Sequence, residues 1–168
     1  MKKIILLLVA LSFSSHIYAL AVGDVVKNVD LKDSSDNPTT IEQLGKKVIT
    51  VFYTDPDVSD QNDTFADMLK AEKLPKDKYA GVGIGNLKDT IKPNFIIRAV
   101  VRKKEKKFNS KILTDPKANL KQAWNLGDCD GKSVVIVIDR AGKVHYIKKG
   151  ALTKEEGAKV LALIKSLL

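Results

Sequence analysis

Lys132 to Glu156 reads KSVVIVIDRAGKVHYIKKGALTKEE, and its local signals decide the fold. Ser133 to Ile138 is a run of mostly β-branched residues, the pattern of a strand buried on both faces. Asp139-Arg140-Ala141-Gly142 supplies a tight turn, with Gly142 able to take positive φ. Lys143 to Lys149 forms a half-exposed partner strand, and Gly150 breaks it. Thr153-Lys-Glu-Glu156 is a capping box, a threonine followed three residues later by glutamate. The closing helix runs from there to Leu168, with Val160, Leu161, Ile164, Leu167 and Leu168 on one face. Buried strand, hairpin and terminal helix make the C-terminal half of an α/β domain.

The chain has 168 residues, one domain's worth on length. Its first segment is set apart from the fold. Lys2-Lys3 is a charged start, Ile4 to Phe13 is almost unbroken apolar, and Ala19-Leu20-Ala21 has the small-residue pattern of a cleavage site. Residues 1–21 therefore read as a cleavable secretory signal, and residues 22–168 as a single domain exported from the cytoplasm. The apolar run is too short to span a bilayer and no second one follows, so no transmembrane segment is expected after cleavage.

Removing residues 1–21 takes away two lysines and no acid, so the formal charge falls from +9 to about +7. An exported basic chain meets anionic lipid, cell-wall polymer or acidic proteins and not nucleic acid. Cys129 is alone in a compartment where disulfides persist, so redox chemistry would need a second molecule. One histidine, His145, remains after cleavage, which leaves no His/Cys cluster with zinc spacing. No cofactor is expected.

Taken in order, Val22 to Leu31 reads as a short opening strand and Ser34 to Pro38 as a turn. Thr40 can cap a short helix through Leu44, stopped by Gly45. Lys47 to Tyr53 is a central strand, and Asp63 to Lys73 a helix with Phe65, Met68 and Leu69 inward. Tyr79 to Gly85 is the next strand, Pro93 to Lys107 a helix, Lys111 to Thr114 a strand, and Pro116 to Trp124 a helix. The order, with no repeat and no long linker, argues one α/β domain.

Several motifs fail on context. Gly131-Lys132-Ser133 imitates the end of a phosphate loop, but a strand follows where a helix is required. Gly81-Val-Gly83-Ile-Gly85 imitates a dinucleotide fingerprint, but it lies inside a strand, where close packing against a helix explains it better. Asp55, Asp57 and Ser59 have calcium-loop spacing, but Asp60 stands where glycine belongs and Ala66 where a bidentate glutamate would be, so no metal site is expected. Arg98, Arg102, Lys103, Lys104, Lys106 and Lys107 form a basic run, with Phe95, Ile96, Ile97, Val100 and Val101 as the buried side of that helix. The run reads as a solvated face, with an anionic partner or lipid surface as the functional alternative. Cys129 sits in Gly127-Asp-Cys-Asp-Gly131, polar surroundings that suggest exposure, while the two carboxylates disfavour a thiolate. His145 and Trp124 read as strand and packing residues.

Four segments, Lys73-Leu-Pro-Lys-Asp-Lys-Tyr79, Ala123-Trp-Asn-Leu126, Ser133 to Gly142 and Gly150-Ala-Leu-Thr-Lys-Glu-Glu156, resemble the YtfJ family in order and spacing. That resemblance covers the mature chain. It implies an exported protein with a thioredoxin-like fold: a central mixed sheet flanked by helices, closed by a C-terminal β-hairpin and helix. Redox enzymes of that fold carry C-x-x-C after the central strand, which here falls on Asp57-Val58-Ser59-Asp60. The peroxidatic position of peroxiredoxins falls at about Gln61, and the cis-proline that helps hold thiol substrates falls at Ser133. An aspartate cannot attack a disulfide, so both halves of the thiol site are missing.

Two functions from different classes stand on the sequence. One is a non-redox binding or accessory module of an unknown periplasmic protein or anionic surface. Its ligand edge would be Asp55, Asp57, Ser59, Asp60 and Ser133, and its basic surface Arg98, Arg102, Lys103, Lys106 and Lys107. The other is a single-cysteine redox protein with Cys129 as its catalytic thiol.

Overall fold

In a computed structural model, the structure describes residues 18–88 and 90–168. Residues 1–17, most of the expected signal segment, lie outside the described residues. Seven strands form one mixed sheet: β1 (Leu31–Lys32), β2 (Pro38–Thr39), β3 (Val48–Thr54), β4 (Tyr79–Asn86), β5 (Ile112–Asp115), β6 (Ser133–Ile138) and β7 (Val144–Lys149). Four helices accompany them: α1 (Asp63–Ala71), α2 (Asn94–Phe108), α3 (Asn119–Ala123) and α4 (Lys154–Leu167). Across the sheet the order is β2-β1-β5-β4-β3-β6-β7. β4 lies parallel to β3 and β5, whereas β6 runs antiparallel to both β3 and β7.

The quoted stretch folds as its chemistry dictates. All six residues of β6 are buried, three on each face of the sheet. The Asp139 carboxylate accepts the Ala141 and Lys143 N–H groups at 2.8 and 3.0 Å, and Gly142 takes φ of 81° to close the turn. Thr153 and Glu156 form the reciprocal capping box that starts α4.

Side chains alternate between two cores. Ile49, Val51, Tyr53, Val134, Ile136 and Ile138 point to one face, packing with Ile41, Leu120 and Trp124. Val48, Val135 and Val137 point to the other and pack against Phe65 and Leu69 of α1 and Val160 and Ile164 of α4. At about 25 cal/mol per Å² of apolar surface removed from water, these two layers are the main source of stability.

The structure corrects four expectations. Val22 to Leu31 is not a strand: it touches the sheet through one bridge between Val25 and Lys143 and pairs regularly only in β1. The Asn28 amide substitutes for a strand partner, accepting the Ile41 N–H and donating to the Ile41 carbonyl, each at 2.9 Å. Thr40 to Leu44 is not a helix but a turn: the Leu44 N–H bonds the Ile41 carbonyl three residues back at 3.1 Å, and Gly45 at φ of 77° follows directly. The helix expected from Pro116 shortens to α3, because the Asp115 carboxylate takes the N–H groups of Asn119 and Leu120 at 2.7 and 2.9 Å and fixes the start there. Finally, of the apolar side expected for α2, Ile97 and Val101 are buried as expected, but Phe95 and Ile96 are exposed. Trp124 is a packing residue as expected, buried with its indole N–H on the Lys27 carbonyl at 2.8 Å.

Candidate functional site

β3 and β6 deliver Thr54 and Ser133 side by side at the edge formed by the carboxyl end of β3 and the start of β6, the side on which ligands bind in α/β folds. Here that edge is filled by the chain's own polar groups. The Thr54 and Ser133 hydroxyls meet at 2.8 Å. The Ser133 N–H donates to the Gln61 side chain at 2.8 Å. Asp55 is buried, and its two carboxylate oxygens accept the Asp57 and Gly131 N–H groups, both at 2.8 Å. In this way it caps the 3₁₀ turn Pro56–Val58 and ties the 131–133 segment to β3. Asn62 extends the seam by donating to the Gly150 carbonyl and accepting the Leu152 N–H, at 3.1 and 2.9 Å. Among the described residues, no buried side-chain polar atom lacks a partner.

Of the residues expected at this edge, the structure brings Asp55, Asp57, Ser59, Asp60 and Ser133 into one neighbourhood but gives them different surroundings. Asp55 and Ser133 are consumed internally. Asp57 pairs with Lys92 at 3.1 Å, and Asp60 is exposed. Ser59 and Ser133 stand at one end of a larger cleft.

Cys129 is not exposed. It is fully buried in the core with Trp124 and Leu126, where its Sγ lies 3.6 Å from the Gly127 carbonyl oxygen. The flanking Asp128 and Asp130 point to solvent while the thiol turns in, so the polar neighbours that suggested exposure do not describe its environment. A small apolar thiol in a close-packed interior behaves as a core residue. His145, expected as a strand residue, lies in β7 with its ring Nε2 2.8 Å from the Asp139 carboxylate.

The basic run on α2 is partly neutralised. Lys104 pairs with Asp63, and Lys107 reaches Asp63 and Asp67, each at 3.0 Å. Hydrogen bonds to Asp63 and then Asp67 raise the Lys107 pKa above its ordinary value. Arg98 lies 3.6 Å from Asp36. Arg102, Lys103 and Lys106 are exposed and have no carboxylate partner among the described residues. With Phe95 and Arg98 they spread along the outward side of the helix at three- and four-residue steps.

The feature that sequence reasoning missed is a cleft of about 750 Å³ between the sheet and helices α1 and α2. Its floor is β4, where Gly81, Gly83 and Gly85 alternate with the inward Val82 and Ile84. Helix packing does not explain Gly81, for a Cβ there would meet nothing within 4 Å. The signal was present in the sequence as alternating glycines in a strand preceded by lysines, but the strand's neighbours could not be read from it.

A family model described as "Bacterial protein of unknown function (YtfJ_HI0045)" matches residues 23–167. An uncharacterized protein of Haemophilus influenzae is 29% identical over 140 residues, 81% of this chain and 75% of that protein. The uncharacterized protein YtfJ of Escherichia coli is 32% identical over 111 residues, 65% of this chain and 59% of its own length. Among solved structures, a thiol-disulfide isomerase from Corynebacterium glutamicum superposes with a TM-score of 0.64 at 13% identity, covering 87% of this chain and 96% of that one. A peroxiredoxin-like protein from Aquifex aeolicus gives 0.63 at 13% identity, covering 90% of each chain. At these identities the likeness is one of fold, and the fold is thioredoxin-like.

Proposed function

We propose that this chain, which belongs to the YtfJ_HI0045 family, is an exported thioredoxin-fold protein that works as a non-redox binding module, holding its ligand in the cleft over β4. One observation carries the reading: the edge that handles thiols in redox proteins of this fold is sealed here by Gln61, Thr54 and Asp55 on Ser133 and Gly131. The chain's cysteine is buried away from solvent. A pocket of roughly 300–1,000 Å³ with mainly apolar walls is the usual form of a small-molecule site, and the cleft falls in that range.

Export rests on the charged, apolar and small-residue order of residues 1–21, and among the described residues no helix is long and apolar enough to cross a membrane. The outward face of α2, with Arg98, Arg102, Lys103, Lys106 and Lys107, is where an anionic partner or surface would meet the module. Lys103→Glu with Lys106→Glu, like added salt, then weakens that contact.

The test is assay of the processed protein, its N-terminus near Val22, with insulin disulfides and with hydrogen peroxide. The expected result is no turnover by wild type above that of Cys129→Ser. Turnover that disappears in Cys129→Ser assigns the protein to single-thiol redox chemistry and ends the binding-module reading.

A further inference from the structure

We propose that the cleft takes an amphipathic anion: a single acyl chain ending in a carboxylate, with the chain along β4 and the head at a lysine rim. The proposal rests on the binding-module reading and names the ligand class of the same site. The floor comes first. Gly81 is exposed although β4 lies in the middle of the seven-stranded sheet. From Gly81 to Gly85 the floor runs about 13 Å at roughly 3.3 Å per residue. Phe52, Leu69, Val101, Phe108 and Ile112 supply apolar walls. Those walls are mainly apolar and favour hydrocarbon as the body of the ligand.

The rim fixes the sign of the head. Lys47, Lys70, Lys73 and Lys76 line the cleft where β3 and β4 begin and α1 ends, and none has a carboxylate partner among the described residues. The Lys47 ammonium is held beside Lys76, donating to its carbonyl at 2.6 Å. The acids of the lining do not cancel this charge. Asp63 is paired with Lys104 and Lys107, while Asp33, held ionised by the Ser35 and Asn37 N–H groups of its own turn, and Glu42 keep their charges, two against the four rim lysines. A lysine-edged, low-dielectric groove raises the local concentration of anions and repels cations. An anionic head therefore stays hydrated at the rim while its chain leaves water.

The test is titration calorimetry of the processed protein with three twelve-carbon probes below their micelle concentrations: dodecanoate, dodecyltrimethylammonium and dodecyl maltoside. The proteins are wild type, Gly81→Leu and the double variant Lys73→Glu/Lys76→Glu. Gly81→Leu places its side chain in open space, so circular dichroism and melting temperature should match wild type while the cleft is filled. The expected result is one dodecanoate per chain, at least about tenfold tighter than the ammonium probe. Gly81→Leu should weaken dodecanoate about tenfold or more, and the charge reversal should weaken dodecanoate but not the maltoside. Equal binding of all three probes, lost in Gly81→Leu, overturns the anion assignment and leaves the cleft as a site. Absence of binding by every probe, or equal dodecanoate affinity in wild type and Gly81→Leu, overturns the cleft reading itself.

Discussion

The Gln61 side-chain carbonyl accepts the backbone N–H of Ser133 at 2.8 Å, joining residues 72 positions apart across the edge of the sheet. By resemblance to redox proteins of this fold, Gln61 stands at about the peroxidatic position and Ser133 at the cis-proline position. A proline has no N–H to give, so the two differences act as one: serine supplies the donor and glutamine the acceptor.

Gln61→Ala should destabilise the protein by about 1–3 kcal/mol, because a part-buried N–H loses its acceptor. Ser133→Pro removes the donor instead, and should cost at least as much through the register of β6 with β3. Urea unfolding of both variants and of the double variant checks this. The double variant should cost less than the sum, since both changes delete the same bond.

Asp115 anchors the opposite core. Its fully buried carboxylate accepts the Tyr53 hydroxyl at 3.0 Å and the N–H groups that open α3. Asp115→Ala leaves several donors without a partner and should cost about 3 kcal/mol or more, whereas Tyr53→Phe removes one bond and should cost about 1 kcal/mol. Melting temperatures should fall in that order.

Stability should decline in acid partly through Asp139. Burial would raise its carboxyl pKa, but hydrogen bonds from His145 and from the Lys143 and Ala141 N–H groups outweigh that and hold it below the ordinary 3.8. A folded-state value below the unfolded one gives a contribution present above the unfolded pKa and lost as pH falls through the folded pKa. Unfolding free energy of wild type should therefore fall more steeply than that of Asp139→Asn as pH is lowered through and below about 3.8. Parallel curves would remove Asp139 from the account.

What the sequence disclosed was local. β6, the Asp139 turn and the Thr153 cap each depend on residues within a few positions of one another, so their chemistry was legible before any tertiary contact. Cys129 shows the limit: Asp128 and Asp130 beside it are exposed, yet the thiol is buried with Trp124 and Leu126, and that inward turn has no sequence mark. Asn28 on Ile41 and Gln61 on Ser133 join distant segments by side-chain geometry. Of the apolar run on α2, Ile97 and Val101 are buried as their spacing implies, but Phe95 and Ile96 in its first turn are exposed. The cleft was hidden for the same reason, because an alternation of glycines becomes a floor only when helices stand off from it.

The most direct measurement of the central claim is the alkylation rate of Cys129 in the folded protein at neutral pH, compared with the same chain in denaturant. A thiol that is fully buried in the core should react only through opening of the structure, orders of magnitude more slowly than in the unfolded chain. Folded-state alkylation as fast as in denaturant, or faster, would show an accessible activated thiol and contradict the account of a sealed, non-redox module.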